Sequence, residues 1–276
     1  MSYKTVLMHL NRDQRANQVL AAGVQIANAF NAHLIGLRVF PAFRLRPPIP
    51  LPIGQEVLGA IAAQVRDETA RIKTQFDEAT SQQQFVSEWR SVTTERRDPA
   101  EIIMEHGRAA DLIIASQADP NWDLSPMLDF PDQLALGSGR PVLVVPTSGM
   151  FQQVPKTITV AWNGRREAAR AVADAMPFLK KADRVFVVTV ASEPREGGLP
   201  DTEIAATLAR HGVKVSVNEL QASDSAAGEE IARRAAEQSE MLVMGAYGRS
   251  RFSEFILGGV TRHMLRSMTI PVLFSH

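Results

Sequence analysis

Short apolar segments alternate with longer segments of mixed polarity along most of the chain. The apolar segments are typical of strands that are buried on both faces of a parallel sheet. In the segments between them, apolar residues recur three or four positions apart, which is the spacing of a helix with one buried face. The predicted strands are Thr5–Leu10, His33–Phe40, Phe85–Val92, Asp111–Ala115, Pro141–Val145, Thr157–Ala161, Arg184–Val190, Lys214–Leu220, Met241–Met244 and Pro271–Phe274.

Helices are predicted between most pairs of successive strands. Two other stretches, 41–52 and 117–131, are rich in proline and are predicted to be loops. The predicted helices are Arg15–Ala32, Gln55–Thr80, Pro99–Gly107, Arg165–Leu179, Asp201–His211, Ala226–Gln238 and Glu254–Ser267.

This order of elements occurs twice along the chain. The segment PVLVV at 141–145 corresponds to PVLF at 271–274, and DLIIAS at 111–116 corresponds to MLVMGA at 241–246. Matching segments lie about 130 residues apart, which indicates an internal duplication.

We therefore predict two tandem domains, 1–148 and 155–276, each an α/β domain with a five-stranded parallel sheet flanked by helices. The two fifth strands, 141–145 and 271–274, are expected to pair with each other inside the chain, because an unpaired strand edge promotes association. Formation of a homodimer by the whole chain stays open.

Composition narrows the classes of ligand and of compartment. Lys plus Arg and Asp plus Glu are both 30, so the formal net charge is zero, and there is no cysteine. We therefore expect neither a nucleic-acid partner nor a membrane partner, and no disulfide. The first residues lead directly into an apolar strand and do not resemble a signal peptide, so a cytoplasmic protein is expected.

The segment most suggestive of a ligand is GAYGRSRFSEFILGGVT, residues 245–261, which follows a predicted strand and leads into a helix. Ligands of such sheets bind beyond the carboxyl ends of the strands, where the strand order reverses. Glycines let the backbone approach a ligand, and free N–H groups at a helix start favour phosphate. Arg249 adds a positive charge and Thr261 a hydroxyl. The glycines are equally well explained by turns and close helix packing.

Other chemical motifs are missing from the sequence. There is no GxxxxGK[ST], no GxSxG, and no GxGxxG after a first strand. No two of the six histidines have a helix-face metal spacing with a nearby carboxylate, so neither a metal site nor a catalytic constellation is predicted. His9 is expected to be a hydrogen-bonded histidine of the core.

Residues 245–261 resemble the signature of the universal stress protein family, in which Gly-x-x-Gly is followed, after nine intervening residues, by Gly and then by Ser or Thr. Gly245, Gly248 and Gly258 occupy the three glycine positions. The resemblance covers the chain as a tandem pair of such domains and is stronger over 157–276. It implies a five-stranded parallel sheet of order 3-2-1-4-5 in each domain, a role in stress response, and binding of ATP or a related adenine nucleotide.

Carried over residue by residue, the resemblance implies a nucleotide site at the ends of the strands in the second half. Val190 is equally well explained as an ordinary core valine. The predicted nucleotide-binding residues are Asn163, Gly164, Val190, Gly245, Gly248, Arg249, Gly258, Gly259, Val260 and Thr261.

Two positions depart from the family pattern. Position 259 is usually Ser or Thr, and here it is Gly. The first strand of the family usually ends in an Asp, and here that position is Asn163. An amide can still accept a hydrogen bond but brings no charge, which weakens any role for Mg²⁺ beside the nucleotide.

The first half lacks the signature. Ser116 stands at the position of Gly245, Asp119 at that of Gly248, Asp129 at that of Gly259 and Pro131 at that of Thr261. Leu128 then stands opposite Gly258. A carboxylate repels phosphate and proline removes an N–H donor. This half is therefore expected to be structural, regulatory, or specific for another ligand.

Three hypotheses for function follow. The leading one is a binding or signalling module for one adenine nucleotide in the second half, with at most slow hydrolysis, since no general base is positioned. The second is a structural or protein-interaction module whose glycine segment is vestigial. The third, an enzyme of related architecture, has no catalytic constellation in its favour.

Overall fold

The structure, a computed structural model, describes residues 2–42, 55–149, 151–191, 202–221, 226–246 and 259–276. Its strands are β1 (Thr5–His9), β2 (His33–Pro41), β3 (Ser87–Thr94), β4 (Leu112–Ser116), β5 (Val142–Val145), β6 (Thr157–Ala161), β7 (Arg184–Ala191), β8 (Val215–Gln221), β9 (Met241–Gly245) and β10 (Val272–Ser275). Its helices are α1 (Asp13–Phe30), α2 (Gln55–Thr80), α3 (Pro99–Arg108), α4 (Ser125–Leu128), α5 (Pro131–Gly137), α6 (Arg166–Leu179), α7 (Thr202–Arg210), α8 (Ala227–Gln238) and α9 (Gly259–Ser267).

These strands form one sheet in the order β3-β2-β1-β4-β5-β10-β9-β6-β7-β8. All strand pairs inside each half are parallel. Numbered from its own first strand, each half has the order 3-2-1-4-5. The predicted α/β class and the predicted strand order are therefore confirmed.

The two halves meet through β5 and β10, which pair antiparallel. The register joins Val144 to Val272, Leu143 to Leu273, and Val142 to Phe274. Because this pairing is antiparallel, the carboxyl ends of the strands in one half lie at the opposite edge of the sheet from those in the other half. The strand-end sites of the two halves therefore face away from each other.

Helices cover both faces of the sheet, so the central strands are buried on both sides. One apolar core contains residues of α1, α2, α6 and α7, and the other contains residues of α3, α5, α8 and α9. None of the helices within the described ranges is long and apolar enough to cross a membrane.

Side chains on both faces reinforce the junction of the halves. The Tyr3 hydroxyl donates a hydrogen bond to the Asp174 carbonyl at 2.7 Å, and the Tyr3 ring packs 5.2 Å from the rings of Phe30 and Phe178. On the other face, buried Gln117 donates to the Leu265 carbonyl at 2.9 Å.

The prediction of a loop over 117–131 was wrong in part, because α4 lies inside this stretch and α5 begins at its last residue. Both helices have a proline in their first two positions. There a fixed φ angle favours the helix and the missing N–H costs nothing. Pro126 and Pro131, two of the prolines that indicated a loop, therefore mark helix starts. Of the helix predicted over Glu254–Ser267, residues 259–267 are helical, and 254–258 lie outside the described residues.

The long helix α2 has the predicted bounds and packs against β2 and β3. Ile72 and Phe76 are buried in the core, and the Phe76 ring lies over Gly36. A Cβ atom at Gly36 would come within 2.7 Å of two Phe76 ring atoms and within 3.1 Å of Trp89. Gly36 is therefore required by the close approach of α2.

We predict opposite effects of alanine at two glycines. Gly36→Ala should lower the free energy of unfolding by about 1–3 kcal/mol, because the added methyl overpacks a buried contact. Gly59→Ala, on α2 with no atom within 4 Å of its Cβ position, should raise it by about 0.5–1 kcal/mol through helix propensity. Urea unfolding of both variants checks this. A neutral Gly36→Ala would show that the helix is not held at this distance.

Candidate functional site

The strand order of the second half reverses between β6 and β9. The chain passes from β6 outward to β7 and β8, and later returns to place β9 on the other side of β6. Such a reversal leaves a crevice at the carboxyl ends of the two central strands. We call the residues there the second-half site, namely Asn163, Gly164, Gly245, Gly259 and Thr261.

The turn after β6 is fixed by Asn163 and Gly164. The Asn163 side-chain oxygen accepts a hydrogen bond from the Arg165 N–H at 3.0 Å, which is an Asx turn. Gly164 has a φ of 69°, in the left-handed region that favours glycine. Both residues are exposed, and α6 begins two residues after Gly164.

Gly245, the last residue of β9, has a packing role. A Cβ atom there would lie 2.6 Å from the Glu167 carbonyl carbon and 2.7 Å from the Ala168 nitrogen, both backbone atoms of α6. Only glycine lets the first turn of α6 contact the end of β9. This residue therefore fits the packing explanation of the glycines.

Gly259 is different, because among the described residues no atom lies within 4 Å of its Cβ position and the residue is exposed. It is the first described residue of α9. Val260 is half-buried and Thr261 is buried. Close packing of α9 on α8 holds this turn, since a Cβ at Gly228 would lie 3.3 Å from the Val260 Cα atom.

Four other predicted residues lie wholly or partly outside the described residues. Gly248, Arg249 and Gly258 lie outside the described residues. Val190 lies in β7 and pairs with Leu220 of β8, and its side chain is not among those described. The structure therefore brings the ends of β6 and β9 together, and Gly259 is the first described residue of α9.

Glu167 is a residue of this region that the sequence analysis missed. Its side chain is 8% exposed. One carboxylate oxygen accepts from Arg166 at 2.9 Å, and the other has no hydrogen-bond partner among the described residues. Burial raises the pKa of Glu167, but hydrogen bonds from Arg166 and the backbone, with the charges of Arg166 and His276, outweigh it and lower the pKa overall. The only feature of the sequence that could have indicated Glu167 is an acidic residue in the first turn of the helix that follows a strand.

The corresponding ends of β1 and β4 form the first-half site, defined by Asn11, Arg12, Asp119, Ser125 and Asp129. Asn11 donates to Asp129, and Arg12 forms an ion pair with Asp119 at 3.0 Å. The polar groups of this site therefore bond to one another.

A second polar cluster lies beside the first-half site. The fully buried Arg38 of β2 donates to the Asn11 carbonyl at 2.9 Å, to Glu68 at 2.8 Å and to Thr69 at 2.9 Å. Glu68 also accepts from the Asp13 N–H at 3.2 Å, at the start of α1. Residues of α2 thus accept hydrogen bonds from the buried guanidinium of Arg38 and from an N–H at the start of α1.

His9 is buried as expected, but its Nε2 atom has no hydrogen-bond partner in the described part of the chain. Its ring stacks on Phe130 with centroids 6.0 Å apart. Burial, aided by the charge of Arg38, lowers the pKa of His9 from 6.5 to about 3. The imidazole is therefore neutral in the folded protein.

Within the described ranges, no three His, Asp or Glu side chains gather in an arrangement that could hold a metal ion. The fold and the two sites define an α/β protein of two similar halves. In one half the strand-end polar groups bond to one another, and in the other a glycine-rich segment borders the site. Residues 155–276 match the model of the Universal stress protein family.

Solved structures with the same fold cover nearly the whole chain. A universal stress protein from Archaeoglobus fulgidus DSM 4304 is 15% identical, with 98% of this chain and 95% of that chain covered and a TM-score of 0.69. A protein from Pseudomonas aeruginosa UCBPP-PA14 is 18% identical, with 99% and 93% covered and a TM-score of 0.60.

A functionally unknown protein from Pseudomonas aeruginosa PAO1 is 17% identical, with 99% and 92% covered and a TM-score of 0.58. At these identities the likeness concerns the fold. No curated protein matches the chain.

The neutral His9 predicts a dependence of stability on pH. Its folded pKa lies below its unfolded pKa, so the unfolded chain binds more protons between about pH 6.5 and 3, and stability falls as the pH falls through this window. As the pH falls from about 7.5 to 5, protonation of His9 in the unfolded chain should lower the free energy of unfolding by about 2 kcal/mol. Urea unfolding at both values should show that His9→Leu loses less stability than the wild type. Equal losses would refute the assignment.

Proposed function

We propose that the second half binds ATP or a related adenine nucleotide at the carboxyl ends of β6 and β9. In this proposal the chain is a cytoplasmic binding or signalling module of a stress response. The observation that carries the proposal is the exposed Gly259 in the segment that links β9 to α9, where no atom of the described residues lies within 4 Å of its Cβ position. The family match over 155–276 supports it.

Helix geometry explains why this position suits a phosphate group. The first N–H groups of a helix have no partner inside the helix, and the helix dipole places partial positive charge there. We propose that the phosphate group lies beside Gly259, the first described residue of α9, which has no side chain in the way. Gly248 and Gly258 supply the other glycines of the signature, and Arg249 brings a cation to the same segment.

The other end of the nucleotide is assigned to the turn after β6. Asn163 is exposed, and its side-chain oxygen is occupied by the Arg165 N–H. Its amide group offers hydrogen bonds to a ribose or base but no charge to a metal ion. We therefore propose that Mg²⁺ contributes little through this residue and that the bound nucleotide is hydrolysed slowly, if at all.

We extend the family assignment to the first half as part of the proposal. Residues 1–148 have the same strand order as 155–276, although the glycines of the signature are missing. We therefore propose that residues 1–148 are a degenerate universal stress protein domain, which does not bind a nucleotide in the manner proposed for the second half.

One observation favours the alternative of a structural or protein-interaction module. Gly245 is explained by the contact of its Cβ position with the backbone of α6, so this glycine would be kept without any ligand. Gly259 distinguishes the two functions, because the described residues around it make no such contact.

Nucleotide titration with two variants at Gly259 tests the proposal. Gly259→Glu places a carboxylate beside the proposed phosphate position, and Coulomb repulsion should weaken binding of ATP at least about tenfold. Gly259→Gln has nearly the same shape as Gly259→Glu without the charge. Its equilibrium constant of unfolding should stay within about threefold of that of the Glu variant, and it should bind ATP with a much higher affinity than the Glu variant does. Isothermal titration calorimetry measures both affinities.

The proposal fails if the wild type binds none of ATP, ADP and AMP at millimolar concentration. It also fails if the Glu and Gln variants bind ATP equally, because the phosphate would then lie elsewhere. Circular dichroism of both variants confirms that the fold is kept.

A further inference from the structure

The strands β4 and β9 correspond to each other in the two halves. Ser116 ends β4 beside Val145 of β5, and Gly245 ends β9 beside Ser275 of β10. In the sequence Asp119 therefore corresponds to Gly248, since each lies three residues further along the chain. In the second half Gly248 is one of the residues proposed to bind the nucleotide.

In the first half, the donors of this segment point at one carboxylate. Asp129 accepts a hydrogen bond from the Asp119 N–H at 3.1 Å and from the Ser125 hydroxyl at 2.6 Å, both through the same oxygen. Its other oxygen accepts from the Asn11 side chain. One backbone N–H, one hydroxyl and one amide thus surround an anionic group, as they would an oxyanion ligand.

The charges around Asp129 are balanced. Arg12 pairs with Asp119 at 3.0 Å and lies 5.0 Å from the centre of the Trp122 ring. Arg15 is attracted by both Asp119 and Asp129. Two cations and two carboxylates therefore share this region, and removal of one carboxylate leaves an excess of positive charge.

We infer that the Asp129 carboxylate is a built-in substitute for a phosphate-type oxyanion, which keeps the first-half site occupied without a ligand. The donors that would hold a phosphate are committed to a group of the chain itself. The first half is then closed to anions in the wild type, and it becomes an anion site when this carboxylate is removed. The inference uses the correspondence with the proposed nucleotide site, but it concerns a different segment.

Burial affects Asp129 in a way that fits an enclosed anion. Burial raises the pKa of the carboxyl, hydrogen bonds from Ser125, Asp119 and Asn11 lower it, and the charge of Asp119 raises it again, so that the pKa lies above its ordinary value. The group is therefore held by local donors at a cost in solvation.

Hydrogen exchange of the full chain, with inorganic phosphate as the probe, tests the inference. In the wild type, exchange over 117–131 should be the same with and without millimolar phosphate. In Asp129→Gly, which restores the residue found at position 259, phosphate should slow exchange over 117–131 at least about twofold. Asp129→Asn removes the charge and keeps the shape, and should respond less than Asp129→Gly.

Asp132→Asn serves as the matched control, because Asp132 is exposed and lies three residues away. It should behave as the wild type does. Phosphate protection of 117–131 in the wild type would overturn the inference, since the site would already be open. A folded Asp129→Gly variant without any phosphate response would overturn it too.

Loss of folding in both Asp129 variants would also contradict the inference, because the carboxylate would then be part of the fold and not a substitute for a ligand. Failure of the nucleotide proposal is seen separately, as absence of protection over 245–261 by ATP. The two results can therefore be distinguished in one set of samples.

Discussion

Three residue pairs between β5 and β10 join two five-stranded sheets into one, and the positions of both sites depend on this junction. Because the pairing is antiparallel, the strand-end site of each half lies at the opposite edge of the sheet. The pairing covers the exposed edges of β5 and β10, which would otherwise promote association with strands of other molecules. Gln117 and Tyr3 hold the junction on its two faces through bonds to Leu265 and Asp174.

The two halves share a fold but differ in the chemistry at their strand ends. In the first half, Asp129 accepts a hydrogen bond from the Asp119 N–H and Glu68 accepts one from the Asp13 N–H. Arg12 and Arg38 are paired with carboxylates of the chain. In the second half, Gly259 is exposed, and within the described part of the chain no atom lies within 4 Å of its Cβ position. The difference lies in a few side chains on a common backbone, which is how one fold can serve different roles.

The α/β class followed from the sequence because buried parallel strands have a strong apolar pattern. The strand order was implied by the resemblance of residues 245–261 to the universal stress protein signature. The helices α4 and α5 did not follow from the sequence, since proline favours both loops and the first turn of a helix. Three features of the sites depend on residues far apart in the chain. They are the contact of the Gly245 Cβ position with α6, the carboxylate oxygen of Glu167 without a hydrogen-bond partner among the described residues, and the contacts of Asp129. Local patterns carry no information about such contacts. They also could not show that Nε2 of the buried His9 lacks a partner.

We propose that one half of the chain binds an adenine nucleotide and that the other half does not. Native mass spectrometry of the full chain, titrated with ATP, counts the bound nucleotides directly. We expect a complex that saturates at one nucleotide per chain. Saturation at two per chain, or no complex at any ATP concentration, would contradict it.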